Sequence, residues 1–299
     1  MIDATEAKKE IVLLIRKNLR AAIWMALAAA AMLTHGKLTA QETGSVNQSK
    51  PATIASVTPC GPQAPIETPA RLAPDRQMKT DWPWLGRYKK DDLDLGSPKP
   101  GEARVVFMGA SITERWKLKG PRGSFPGKSY INRGISGQTS PQMLLRFRQD
   151  VIDLQPKAVV ILIGTNDVAG LTGPITAAQT EENVESMADL ASANNIRVVL
   201  CAMLPSSYIP WKPDTDPVPK IAALNQWFKA YAARKGYVYV DYYSAMKDAQ
   251  GGLSRALSED GVHPTALGYA IMAPLVEIGI RKALEQRPEP AHLSGSVAP

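Results

Sequence analysis

Five short apolar runs rich in β-branched residues punctuate the chain: Arg104–Met108, Ser129–Asn132, Ala158–Ile163, Arg197–Ala202 and Tyr237–Val240. Runs of that length and composition form strands. Between and after them apolar residues recur at helical spacing. Met143/Leu144, Phe147, Val151 and Leu154 make one set, and Val184, Met187 and Leu190/Ala191 a second. Ile221, Leu224, Trp227/Phe228 and Tyr231 make a third, and Thr265 through Ile271, Leu275 and Ile278 a fourth. Strands that alternate with helices pair in parallel, because a crossover between parallel neighbours needs the length that a helix supplies. The pattern predicts an α/β domain with a parallel sheet covered by helices on both faces. In such sheets ligands bind beyond the carboxyl ends of the strands, so chemistry is to be sought in the residues that follow each run.

The flanks read differently. Arg16, Lys17 and Arg20 precede an apolar run from Ala21 to Leu33, and Leu38-Thr39-Ala40 could end it. That arrangement predicts that residues 1–40 are a signal peptide, or alternatively an uncleaved N-terminal anchor, and that the protein is exported to the periplasm or secreted. Residues 41–77, rich in Pro, Thr, Ser, Ala and Gln, read as a flexible linker, 78–286 as the folded domain, and 287–299 as a disordered tail. Of the net charge of +7, +3 belongs to residues 1–40. The rest is too mildly basic, and too free of Arg/Lys clusters interleaved with aromatics, to suggest a nucleic-acid partner. Cys60 and Cys201 lack metal-ligand spacing, and Cys201 sits inside a strand-like run. No metal and no cofactor is expected. Membrane contact is expected only through the possible anchor.

Three histidines occur, and His35 and His292 fall in the leader and the tail. His263 is therefore the one imidazole of the domain, in Ser258-Glu259-Asp260-Gly261-Val262-His263-Pro264. Histidine can take and return a proton near neutral pH. Asp260, three residues earlier, can accept the Nδ1 proton and leave Nε2 as a base, although Asp-Gly is also ordinary turn chemistry. After the first run comes Gly109-Ala110-Ser111-Ile112-Thr113, where Ser111 could present a hydroxyl at a strand's end or simply cap the next helix. After the second comes Gly134-Ile135-Ser136-Gly137-Gln138-Thr139, whose glycines could turn a backbone N–H into the cleft. After the third comes Gly164-Thr165-Asn166-Asp167, whose Asn166 amide could donate to a developing oxyanion.

Taken together and in this order, the four blocks resemble those of the SGNH hydrolases, also called GDSL esterases and lipases, over about residues 100–285. The resemblance implies a three-layer α/β/α sandwich around a central, mainly parallel five-stranded sheet of flavodoxin-like form. It implies a serine esterase with a Ser111–His263–Asp260 triad and an oxyanion hole built from Ser111, Gly137 and Asn166. The absence of a long apolar insertion between the blocks favours short acyl groups. The substrate is expected to be a small-molecule or carbohydrate ester; a carbohydrate acetylesterase, or an inactive binding module on the same scaffold, are the alternatives.

One position departs from the pattern: the family's first block usually reads Gly-Asp-Ser, and Ala110 stands where the carboxylate would be. The triad does not need that side chain, so activity is expected to persist with a slightly looser Ser111 loop. Around the blocks, Asp167 reads as a loop stabiliser, Asp241 as a helix cap or cleft residue, and Glu259 as a weaker rival to Asp260. Arg133 and Gln138 flank the second block and could frame the site, with solvated surface the favoured reading for Arg133, and Trp211 reads as a substrate wall or core cover.

Overall fold

The structure is a computed structural model that describes residues 78–120 and 123–286. The leader, linker and tail assignments, and Cys60, lie outside the described residues. Five strands form one sheet: β1 Val105–Gly109, β2 Tyr130–Gly134, β3 Ala158–Leu162, β4 Arg197–Cys201 and β5 Val238–Val240. They stand in the order β2-β1-β3-β4-β5, and every pairing is parallel. The sheet is thus wholly parallel, as its crossover connections require.

Burial on both faces explains the continuous apolar runs. Every residue of β1 and β3 is buried, as expected where helices cover both sides. Alternate residues divide between two cores. Val106, Met108, Val159 and Ile161 pack with Met143, Phe147, Met187 and Phe228, which belong to α3 Ser140–Asp150, α5 Ala177–Ala193 and α6 Val218–Lys235. Val105, Phe107, Val160 and Leu162 pack on the other face against Met272, Val276 and Ile280 of α8 Ala266–Glu285, and against Trp116 and Phe125. Helix α5 starts at a capping box in which Thr176 Oγ1 accepts from Gln179 N–H and Gln179 Oε1 accepts from Thr176 N–H. Among the described residues are also the shorter helices α1 Lys89–Leu95, α2 Ser111–Glu114, α4 Thr165–Val168 and α7 Tyr242–Met246. Among the described residues no helix is long and apolar enough to cross a membrane.

Topology fixes where a ligand can sit. The chain leaves β1 toward β2 on one side, then crosses back to β3 on the other. The crevice at this switch point opens beyond the carboxyl end of β1. The register sets Gly109 level with Gly134 on one side and Leu162 on the other. The three blocks that follow β1, β2 and β3 therefore start at one height, around one crevice.

Candidate active site

Helix α2 begins at Ser111, two residues after the last residue of β1, so the serine stands at the strand's end with 8% of its surface exposed. Ala110 occupies the position before the helix and makes no side-chain cap. The turn is held by its carbonyls instead. Asn132 Nδ2 donates to Thr113 O at 2.6 Å and Tyr269 Oη donates to Ile112 O at 2.7 Å. Gly134 lets β2 approach: a Cβ there would collide with the backbone N of Glu114. Ser111 is not displaced by the missing carboxylate, since its Oγ lies 2.8 Å from His263 Nε2.

His263 arrives from the opposite end of the chain, just before Thr265 caps α8. Its Nδ1 lies 2.6 Å from Asp260 Oδ2. Asp260 Oδ1 accepts the backbone N–H groups of His263 at 2.8 Å and Val262 at 3.0 Å, and the Ser258 hydroxyl at 3.2 Å. Partial burial pushes the Asp260 pKa up, but the His263 and Val262 N–H groups and the imidazole outweigh it and hold the carboxyl well below the usual carboxylate range. An ionised carboxylate only accepts hydrogen bonds, so the Nδ1 atom facing it carries a proton and Nε2 is left to accept one from Ser111. The arrangement can draw a proton from the serine hydroxyl.

Gly137 turns with φ +80°, a conformation open to glycine at no steric cost. Asn166 opens α4 beyond β3, and its Nδ2 donates to the Gln138 carbonyl at 2.9 Å, which leaves the second amide hydrogen for another acceptor. A cavity of about 20 Å³ lies against Ser111 and Asn166, walled by Ala110, Ile112, Leu162, Ile163 and Val262. Among the described residues no group of three or more His, Cys, Asp or Glu could hold a metal ion.

The neighbouring candidates divide. Asp167 points away into the core, accepting from Ser140 N–H, the Ser140 hydroxyl and Thr180 Oγ1. Burial pushes its pKa up against those bonds. Asp241 caps α7, accepting from Ser244 N–H at 2.9 Å and Oγ at 2.8 Å. Glu259 is exposed, and Asp260 alone meets the ring of His263 as an acid among the described residues. Trp211 stands 36% exposed with its ring 5.8 Å from that of His263. Arg133 is not solvated surface: it is buried, paired with Asp92 at 2.6 Å, and lies 4.6 Å over the Tyr88 ring. Its partners come from residues 88–95, a segment whose one helix is only α1 and carries too little apolar periodicity to announce itself. The chain just before that segment accepts from Gln138 at Pro83 O, 2.7 Å, and from Gln142 at Trp82 O, 2.7 Å. Sequence reading also missed Asn132, Tyr269 and Arg146. Only Arg146 left a trace, as a charge on the buried stripe of α3.

The chain is similar to several known proteins. A family model described as "GDSL-like Lipase/Acylhydrolase family" matches residues 107–271. Esterase TesA of Pseudomonas aeruginosa is 30% identical over 168 residues, which are 55% of this chain and 77% of that one. The crystal structure of a GDSL-like lipase from Bacteroides thetaiotaomicron superposes with a TM-score of 0.65 at 44% identity, covering 68% of this chain and 100% of the other. A shorter match, 35% identical over 78 residues, joins 25% of this chain to 32% of the lipoprotein YqeF of Bacillus subtilis.

Proposed function

Since the chain belongs to the GDSL-like lipase/acylhydrolase family, the SGNH hydrolases, and is a carboxylic ester hydrolase, we propose that it cleaves short-acyl esters through an acyl-enzyme formed on Ser111. Ser111 Oγ attacks the ester carbonyl carbon as His263 Nε2 takes the hydroxyl proton, and Asp260 stabilises the imidazolium so formed. The carbonyl oxygen becomes an oxyanion, met by the N–H groups of Ser111 and Gly137 and by the Asn166 amide. His263 returns the proton to the departing alkoxide, and the alcohol leaves. Water, deprotonated by the same imidazole, then attacks the acyl-enzyme and releases the carboxylic acid and Ser111.

The observation that carries this reading is the continuous hydrogen-bonded line Ser111 Oγ–His263 Nε2 at 2.8 Å and His263 Nδ1–Asp260 Oδ2 at 2.6 Å. The same line speaks against an inactive binding module. The small cavity beside Ser111, in which Gln138, Thr165 and Asn166 join the apolar walls, supports a short acyl group. Trp211, exposed beside His263, supports a second reading for the alcohol: a flat aromatic face suits a sugar ring, as in an O-acetylated carbohydrate. The Arg16–Leu33 leader pattern supports export, in keeping with a lipoprotein among the relatives. The test is a panel of esters graded in acyl length, with acetylated sugars, on wild type and Ser111→Ala. We expect acetyl esters to be cleaved fastest and Ser111→Ala to be inert. Full hydrolysis by Ser111→Ala would remove the serine from the mechanism.

A further inference from the structure

Helix α3 carries a charge pair where its packing stripe should be apolar. Arg146 and Asp150 follow Met143 at helical spacing on the buried face, and both side chains are 0% exposed. Taking such a pair out of water costs several kcal/mol per ion before its mutual attraction is counted, and well-packed apolar residues commonly serve stability as well or better. What an apolar side chain cannot supply is a rigid plane of five donors.

Four hydrogen bonds leave the guanidinium, and three of their acceptors are the frame of the crevice. Arg146 Nη2 donates to the Gly109 carbonyl at 3.1 Å, two residues before Ser111. Nη1 donates to the Arg133 carbonyl at 2.8 Å in β2 and to Asp150 Oδ2 at 2.8 Å. Nε donates to Gln138 Oε1 at 2.5 Å, on the residue after Gly137. The Gln138 carbonyl in turn accepts from the Asn166 amide at 2.9 Å. One guanidinium thus binds the Ser111 turn and the Gly137 turn directly, and reaches Asn166 through one residue.

We propose that Arg146 is a positioning residue for the oxyanion hole: its fork fixes the spacing of the Ser111 and Gly137 N–H groups and the Asn166 amide. The inference rests on the serine-esterase reading above. It gives a role to the departure at Ala110, because the turn without a capping carboxylate is anchored one residue upstream through the Gly109 carbonyl. A misplacement of about 1 Å at a reacting centre costs on the order of 100-fold in rate, and an oxyanion exists only in the transition state and intermediate. Loss of the fork should therefore appear in kcat and not in KM.

The experiment measures kcat, KM, unfolding temperature and the rate of Ser111 labelling by an organophosphonate. It uses wild type, Ser111→Ala, Arg146→Lys, and the paired replacement Arg146→Met with Asp150→Leu. Lysine keeps a cation for Asp150 but lacks the fork, and the paired replacement removes both charges. We expect kcat and labelling to fall roughly 10- to 100-fold in both, with KM within about threefold, and an unfolding temperature lower by several degrees because the acceptors Arg146 serves lose a donor, but still well above the assay temperature. A folded paired variant with kcat within about threefold of wild type would overturn the proposal. So would losses that track unfolding temperature across the set. If the paired variant does not fold, Gln138→Met cuts the link from the fork to the oxyanion turn and leaves the ion pair in place; wild-type kcat there overturns the proposal equally. An active Ser111→Ala would instead defeat the underlying esterase reading.

Discussion

The ring of Trp211 lies 5.8 Å from that of His263, tilted by 38°, and 36% of the residue is open to solvent. The indole therefore borders the imidazole and is itself open to solvent. Trp211→Ala removes an aromatic contact worth about 0.5–1.5 kcal/mol. That predicts a fall in kcat/KM of up to about tenfold for esters of bulky or cyclic alcohols, and a smaller one for ethyl acetate. The check is kcat/KM for acetyl esters that differ only in the alcohol. An equal loss for every alcohol would place the ring's effect on His263 rather than on substrate.

Asn166 has two partners to lose. Its amide already holds the Gln138 carbonyl at 2.9 Å, and its second hydrogen is assigned to the oxyanion. Asn166→Ala is expected to lower kcat by ~100- to 1000-fold. The carbonyl left unpaired costs about 1–3 kcal/mol, a fall of several degrees in unfolding temperature for a domain of this size. Steady-state kinetics and thermal unfolding on one preparation separate the two effects.

At Ala110 the expectation runs the other way. The position precedes α2 and offers no side-chain cap, while the Ser111–His263 contact is already 2.8 Å. Ala110→Asp should raise stability by about 0.5–2 kcal/mol, the usual gain from a capping oxygen, and leave turnover within about tenfold. A gain of several orders of magnitude in kcat would make this position central to catalysis.

Asp260 titrates below the usual carboxylate range because His263 and Val262 N–H groups and the imidazole overcome the opposing effect of burial. Its folded pKa is depressed, so the stability it contributes is present in full above the unfolded value of about 3.9 and is lost as pH falls through the folded value. The carboxylate is 40% exposed, so solvent screens part of this gain. Asp260→Asn should unfold at a lower temperature than wild type from neutral pH down to about pH 4. The gap should narrow only below that. Thermal scans of both proteins between pH 7 and 3 test it; a gap that closes near pH 6 would mean that the carboxylate is not the source.

Much of this molecule was legible in the chain because its sheet is buried on both faces. Burial forces unbroken apolar runs such as Val105–Met108 and Ala158–Leu162, and each of the five expected strands lies within two residues of its predicted ends. The four blocks were legible because the residues that follow parallel strands meet at one edge of the sheet. What escaped was set by tertiary partners. The predicted solvated Arg133 is buried because Tyr88 and Asp92 come back over it, and nothing near Arg133 in sequence announces them. Helices α2 and α4 have four residues each, too short for any period to show. Arg146 was readable in principle: Arg146 and Asp150 share the helical spacing of Met143 and Phe147, a charge pair that contradicts simple packing, and such contradictions are expected at sites of function.

The serine and the histidine that meet across the crevice are separated by 152 positions. Ser111, Gly137 and Asn166 all lie before residue 167, whereas His263 follows β5 and closely precedes α8. The helix that follows the histidine also covers one face of the sheet with Met272, Val276 and Ile280, and its Tyr269 holds the Ile112 carbonyl beside the serine. Closing that core and seating His263 opposite Ser111 are therefore completed together, by one C-terminal stretch of chain.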